Sequence, residues 1–169
     1  RPDVIVCVNP LMIEANLDFI NDTETILILD RIAKKKGVKT RDNVIFINCI
    51  DHPFFSTACE FGVFQGFTVT YVALQLALYF GIKNVSLVGC DHDYGNQGLP
   101  NEVVKYTSMT KNTHFDPKYL ENGELWQTPD LAASEYYYSI ANLAYQKAGG
   151  IVANSSSETN LEIFKKISL

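Results

Sequence analysis

The fold is decided by one stretch, GVFQGFTVTYVALQLALYFGIKNVSLVGCDHDY, which spans residues 62–94. Apolar residues recur along its middle at the spacing of one helix face, namely Val69, Val72, Ala73, Leu76, Ala77 and Phe80. This spacing predicts a helix over residues 69–80. Leu74 and Leu78 make the opposite side apolar too, so we expect the helix to be buried on most sides.

Both ends of this helix carry local signals. The hydroxyl of Thr68 or Thr70 can accept a bond from an orphan amide at the start, and Gly81 suits the left-handed turn that ends a helix. The entry at Gly66 and Thr68 leaves amides free at a helix N-terminus, which is a natural seat for phosphate or carboxylate.

The next element is a short buried strand, predicted at residues 84–89 and followed by Asp91 and His92. In parallel α/β sheets, ligands bind outside the carboxyl ends of the strands, which makes Asp91 and His92 candidate site residues. The alternative is purely structural, because a helix, a glycine turn and a strand are common to most α/β domains and an Asp after a strand often only caps a turn.

Short apolar runs alternate with helical spacing along the rest of the chain. They predict strands near residues 3–8, 24–29, 43–48 and 150–153, and helices near 11–20, 30–36 and 130–147. The last helix places five residues on one face: Leu131, Ser134, Tyr138, Ala141 and Tyr145. This alternation predicts a three-layer α/β fold, with a mostly parallel sheet and helices on both faces.

Composition suits one globular domain over residues 1–169, since 47% of the residues are hydrophobic and 20% are charged. The net charge of −5 argues against nucleic acid or an anionic membrane as the main partner. The basic runs 34–36 and 165–166 are interpreted as solvated helix ends. The chain starts at Arg1, directly before a strand, which favours a piece of a longer protein.

Four cysteines, Cys7, Cys49, Cys59 and Cys90, show neither a CxxC pair nor metal-ligand spacing. Cysteine without such partners behaves as a small buried hydrophobe, so we expect a reduced, cytoplasmic protein without a resident metal. No apolar run has membrane-spanning length, and no signal-peptide pattern is present. The absence of HExxH, GxSxG, GxGxxG and P-loop motifs disfavours zinc proteases, serine hydrolases, simple dinucleotide binders and Walker-type kinases.

Residues 95–129 show no sustained period, and loops of that length are commonly lids or binding loops. We expect this loop to fold over the carboxyl end of the sheet. Its His114 is the best candidate for a functional histidine, although a lone loop histidine is more often a surface or turn residue. Polar or aromatic candidates lie after strand ends or in this loop: Asp30, Asn48, Asp91, His92, Asn154, His114, Tyr119 and Trp126.

Residues 68–95, TVTYVALQLALYFGIKNVSLVGCDHDYG, resemble a bacterial domain family described as 6-hydroxymethylpterin diphosphokinase-like, which also includes the motility accessory factors of flagellin glycosylation. The resemblance continues through residues 112–115 (NTHF), 126–130 (WQTPD) and 154–164. Through its helix, strand and Gly-x-Asp unit the chain is also distantly similar to bacterial lipooligosaccharide sialyltransferases. The resemblance implies a Rossmann-like arrangement of the predicted three-layer fold.

The resemblance to the sialyltransferases implies roles for particular residues. Asp91 matches the Asp of the Gly-x-Asp unit, and Tyr94 or Tyr106 can serve as a tyrosine on the nucleotide phosphate. Trp126 and its neighbours stand where the histidine base is expected, so His114 can replace that base only if the loop folds back. Both families begin with a Gly-Asn-Gly-Pro-Ser-like turn after a first strand, which helps to bind the nucleotide. This sequence contains no such turn. Either a strand and its nucleotide-binding turn precede Arg1 in the complete protein, or the protein does not use them.

The first hypothesis is therefore a metal-independent, glycosyltransferase-like domain that uses a nucleotide-activated sugar and a glycan or protein acceptor. His114 and Asp91 would be catalytic. The predicted substrate-binding residues are Gly66, Thr68, Thr70, His92, Asp93, Tyr94, Trp126 and Asn154. No nucleic-acid partner is expected, and a homo-oligomer is left open.

The alternative is a pyrophosphokinase that acts on a pterin-like alcohol with ATP, and it needs Mg²⁺. Asp91 and Asp93 would hold the ion. A third hypothesis is a non-catalytic remnant or a fragment.

Overall fold

The computed structural model describes residues 2–9, 13, 24–95, 98–105 and 125–168, without the side chain of Trp126. The chain divides into two compact units, Arg1–Lys83 and Asn84–Leu169, and each is described by itself. Together they give a mixed α/β structure, with two small parallel sheets of three strands each and three helices among the described residues. The three-layer, Rossmann-like arrangement in a single domain stays a prediction.

The first unit is built on the parallel sheet β1-β2-β3, whose strands are Val4–Cys7, Ile26–Asp30 and Val44–Ile47. Two helices accompany it: α1 (Ile32–Lys35) and α2 (Val69–Tyr79). All three strands were predicted within two residues of these bounds.

The middle strand β2 is covered on both faces, as its near-continuous apolar sequence requires. Ile28 packs in one hydrophobic cluster with Val72 and Leu76 of α2. Leu27 packs in another cluster that includes Ala33 of α1. Because successive side chains of a strand point to opposite faces of the sheet, the neighbours Leu27 and Ile28 belong to different clusters.

Helix α2 confirms the predicted start and end. Thr68 is the N-cap, and its hydroxyl accepts a hydrogen bond from Thr70 N at 3.3 Å. Gly81 has a φ of +83° just after the helix. Of the predicted apolar face, Val72 and Leu76 are buried, whereas the two end residues Val69 and Phe80 are 46% and 54% exposed.

The face of α2 that points inward instead carries Tyr71 and Gln75 beside Val72, Leu74 and Leu76. Gln75 is completely buried, and its amide binds the backbone of two loops. A hydrogen-bonded glutamine thus occupies an inward position that the apolar pattern does not include.

The second unit is built on β4 (Asn84–Leu87), β7 (Ile151–Asn154) and β8 (Lys165–Lys166), which run parallel in the order β4-β7-β8. Helix α3 (Leu131–Lys147) precedes β7. Asp130 caps its start by accepting a bond from Ala133 N at 3.0 Å, and Gly149 follows its end with a φ of +70°. Four of the five predicted face residues are buried: Ser134, Tyr138, Ala141 and Tyr145.

Two elements of the second unit differ from the sequence interpretation. Lys165 and Lys166 form an exposed edge strand rather than a helix end. The predicted loop 95–129 contains a short antiparallel ribbon of β5 (Val103–Lys105) and β6 (Leu125–Gln127). Strands of two or three residues are too short to show a period, and only their partner strands reveal them.

The predicted helix at residues 11–20 lies outside the described residues, except for Ile13, which is helical. Within the described parts of the chain, no helix combines the length and apolar character that crossing a bilayer requires.

Candidate functional site

The best-formed candidate site is the loop that follows β4 in the second unit. Its backbone is bound to the segment that follows β7. Cys90 N donates to Ser156 Oγ at 2.9 Å, and Thr159 Oγ1 donates to Cys90 O at 2.7 Å. Asn160 N donates to Asp91 O at 2.8 Å. The carboxyl ends of β4 and β7 therefore support one shared loop cluster, where a parallel sheet places its ligands.

Asn154 organises the segment after β7 from a fully buried position. Its Nδ2 donates to Thr159 Oγ1 at 3.0 Å and to Leu161 O at 3.4 Å, and its Oδ1 accepts from Ser156 N at 3.0 Å. The side chain predicted to bind substrate thus holds together the residues that in turn bind Cys90. Substrate contact by Asn154 itself stays a prediction.

His92 is turned inward between the two acidic residues of the loop. Its backbone has a φ of +55°, which is uncommon for a residue other than glycine. Its side chain is only 8% exposed, and Nε2 lies 3.1 Å from Glu135 Oε1 on α3. Its ring also meets the ring of Tyr138 edge-on, with centroids 6.3 Å apart. Helix α3 therefore anchors the loop through His92.

Asp91 and Asp93 flank that anchor. Asp91 is exposed, while Asp93 is half-buried and its Oδ1 accepts a bond from Gly95 N at 3.0 Å. No group of three or more His, Cys, Asp or Glu side chains in the described part of the chain could hold a metal by itself. Mg²⁺ in phosphate-transferring sites needs only one or two carboxylates beside phosphate oxygens and water, so these two carboxylates fit that ion as a donor set.

The remaining binding candidates, Gly66, Thr68 and Thr70, belong to the first unit. Gly66 has a φ of +57°, and a Cβ there would lie 2.4 Å from the Tyr71 ring. The closeness of the Tyr71 ring therefore explains why position 66 is a glycine. Thr68 uses its hydroxyl to cap α2. Anion binding at this helix start stays a prediction.

Asp30, which follows β2, braces the carboxyl end of the first sheet. Its Oδ1 accepts from Ile32 N at 2.7 Å and its Oδ2 from Cys49 N at 3.3 Å. Burial, together with the hydrogen bond and negative charge of Asp30, raises the pKa of the Cys49 thiol to about 12. The thiol is therefore protonated at neutral pH, and its environment disfavours a nucleophilic thiolate.

Several predicted residues lie outside the described part of the chain. His114, Tyr106 and Tyr119 are among them, as is the side chain of Trp126. The catalytic role of His114 and the closure of its loop over the sheet remain predictions.

Sequence reasoning did not find Glu135, Ser156 and Thr159, which hold the loop after β4. Ser156 stands in a run of three serines, residues 155–157, that directly follows β7. Glu135 lies in a helix whose pattern indicates nothing but one buried face, and only its contact with His92 shows its role.

These features define an α/β protein whose second unit carries a polar, carboxylate-bearing loop at the carboxyl ends of parallel strands. The chain belongs to the MptE-like family: the sequence model described as 6-hydroxymethylpterin diphosphokinase MptE-like matches residues 1–97, which is more than half of the chain. The matched range includes the loop with Asp91, His92 and Asp93. No curated protein and no solved structure matches the chain. The predicted family is thereby confirmed, whereas nothing supports the predicted similarity to sialyltransferases.

Proposed function

We propose that this protein is a pyrophosphokinase that transfers a diphosphate group from ATP to the hydroxyl of a pterin-like alcohol. The proposal rests on membership of the MptE-like family. The matched range includes the loop of Asp91 and Asp93 and ends just after it. The glycosyltransferase hypothesis loses its support, since it rested on the sialyltransferase similarity. The pyrophosphokinase alternative agrees with the description of the family.

The reaction forms one bond and breaks one bond. The hydroxyl oxygen of the alcohol attacks the β-phosphorus of ATP, and the bond from that phosphorus to the oxygen bridging the α- and β-phosphates breaks. AMP leaves with that oxygen, and the hydroxyl proton passes to a base or to water. Such transfers depend mainly on positioning and on neutralising the phosphate charge.

The chain supplies carboxylates on a braced loop. Asp91 and Asp93 would hold Mg²⁺, which when bound neutralises the charge of the phosphate oxygens. The bonds of Cys90 to Ser156 and Thr159 fix the backbone directly before Asp91. The bond of His92 to Glu135 fixes the loop between Asp91 and Asp93. His114 is retained as the proposed base for the alcohol proton.

The decisive experiment incubates the protein with ATP, MgCl₂ and 6-hydroxymethyl-7,8-dihydropterin, and follows nucleotides and pterins by anion-exchange chromatography. We expect AMP and a pterin diphosphate in equal amounts, both dependent on the pterin alcohol. Formation of ADP would indicate a phosphokinase instead. Failure to form AMP in a pterin-dependent manner would overturn the proposal.

Two variants test the carboxylates. Asp91→Asn and Asp93→Asn should each lower kcat/KM by about tenfold or more, with a rise in the Mg²⁺ concentration needed for half-maximal rate. Asp42→Asn is the matched control, because Asp42 is an exposed residue in the turn before β3. Equal effects in all three variants would show that Asp91 and Asp93 do not bind the Mg²⁺ of this reaction.

A further inference from the structure

The second unit contains a pocket of about 200 Å³ beside the loop of Asp91 and Asp93. Its lining includes Tyr94, Gly95, Gly98, Pro100, Thr128 and Ala132. Tyr94 directly follows Asp93 in the chain, so the pocket begins where the carboxylate loop ends. The lining thus combines one aromatic residue, one leucine and smaller residues, none of which is charged.

Hydrogen bonds between the walls make the pocket a preformed one. Thr128, which is 3% exposed, donates its N–H to Glu102 O at 2.9 Å, and its hydroxyl oxygen accepts from Glu102 N at 2.9 Å. Asn101 N donates to Thr128 O at 3.0 Å, and its Nδ2 donates to Asp130 Oδ2 at 3.0 Å. The turn on one wall is therefore tied to the start of α3 on the other. Pockets of this kind bind without a large ordering cost.

Size restricts what the pocket can hold. Sites for drug-sized ligands have roughly 300–1,000 Å³, so a pocket of about 200 Å³ suits one small flat group and excludes a complete nucleotide. An aromatic residue among uncharged, mostly small residues favours a planar ring, which stacks on the aromatic face.

We propose that this pocket binds a planar bicyclic nitrogen heterocycle, with Tyr94 as the stacking residue. The pterin ring of the acceptor and the adenine ring of ATP share this chemistry. The inference rests on the proposed function, because that reaction brings both rings to the carboxylate loop.

The test measures binding of each ring separately. The intrinsic fluorescence of 6-hydroxymethylpterin is titrated with protein in the absence of nucleotide, and ATP binding is measured by calorimetry in the absence of pterin. Ala132→Leu adds bulk to the pocket lining from an exposed position in the first turn of α3. Gln146→Leu adds a leucine at an exposed position near the other end of the same helix and is the matched control.

We expect Ala132→Leu to weaken binding of one of the two ligands by about tenfold or more and to leave the other unchanged, which identifies the ring that occupies the pocket. Tyr94→Ala should weaken the same ligand by about tenfold, whereas Tyr94→Phe should bind it like the wild type because phenylalanine keeps the stacking face. Gln146→Leu should change neither affinity. Unaltered affinities in Ala132→Leu and Tyr94→Ala, or no binding of either ligand to the wild type, would overturn the inference.

The experiments can refute the pocket assignment and the proposed reaction separately. If AMP forms and Ala132→Leu leaves both KM values unchanged, the pocket assignment is wrong and the pyrophosphokinase stands. If no AMP forms but Ala132→Leu abolishes binding of one ring, the pocket stands and the reaction is wrong. Circular dichroism and the melting temperature, compared between Ala132→Leu and Gln146→Leu, separate both results from loss of the fold.

Discussion

Gln75 is the residue of the first unit whose replacement should be most informative. It is completely buried in α2, and its Oε1 accepts bonds from Ser56 N at 3.0 Å and from Phe64 N at 3.3 Å. Its Nε2 donates to Phe64 O at 2.7 Å and to Tyr71 O at 3.1 Å. One amide thus joins α2 to two loop segments, one at Ser56 and one at Phe64.

Gln75→Leu keeps the volume of the side chain and removes its polar atoms. The N–H groups of Ser56 and Phe64 then lose their acceptor, and each unsatisfied buried donor costs about 1–3 kcal/mol. The free energy of unfolding should therefore fall by about 2–6 kcal/mol, because two donors lose their acceptor and leucine, which is at least as large as glutamine, leaves no cavity. A whole domain is stable by only about 5–15 kcal/mol, so this loss is large.

The assay is urea unfolding followed by far-UV circular dichroism, fitted with two transitions if the two units unfold separately. Gln146→Leu makes the same chemical change at an exposed position of α3 and should shift the free energy of unfolding by no more than about 0.5 kcal/mol. If Gln75→Leu loses less than about 1 kcal/mol, the proposed role of the buried amide is refuted.

Two further predictions concern the first unit. Gly66→Ala places a Cβ 2.4 Å from the Tyr71 ring at a φ of +57°, so it should lower the free energy of unfolding by more than about 2 kcal/mol. Gly81→Ala has a φ of +83° but open space, so it should lose only about 1 kcal/mol in the same urea assay, and equal losses would contradict the steric reason. Burial raises the pKa of Cys49 to about 12 and that of Cys59 to about 11, from an ordinary value of 9.0. The unfolded chain therefore releases these protons first, and the free energy of unfolding should fall as the pH rises above 9.0. Urea unfolding at several pH values should show a smaller fall for Cys49→Ala than for the wild type, and an identical pH dependence would contradict this assignment.

The sequence by itself determined the elements whose signals are local. Short apolar runs identified five of the six strands of the two parallel sheets, all except β8, and the helical period identified α2 and α3. The cap at Thr68 and the glycine at position 81 depend only on neighbouring residues, and the structure confirms them. The family could also be recognised in this way, because its motifs are contiguous in the chain.

Tertiary structure alone decided which polar groups meet. Gln75 binds residues 11 and 19 positions away, and His92 meets Glu135 across 43 positions. The strands β5 and β6 are likewise defined only by each other. Such contacts form when distant segments are brought together, and their stability comes from burial and from the hydrogen bonds that burial makes necessary. A period or a cap is encoded within a few residues, whereas the partner of a buried polar group is set by the fold of the whole unit.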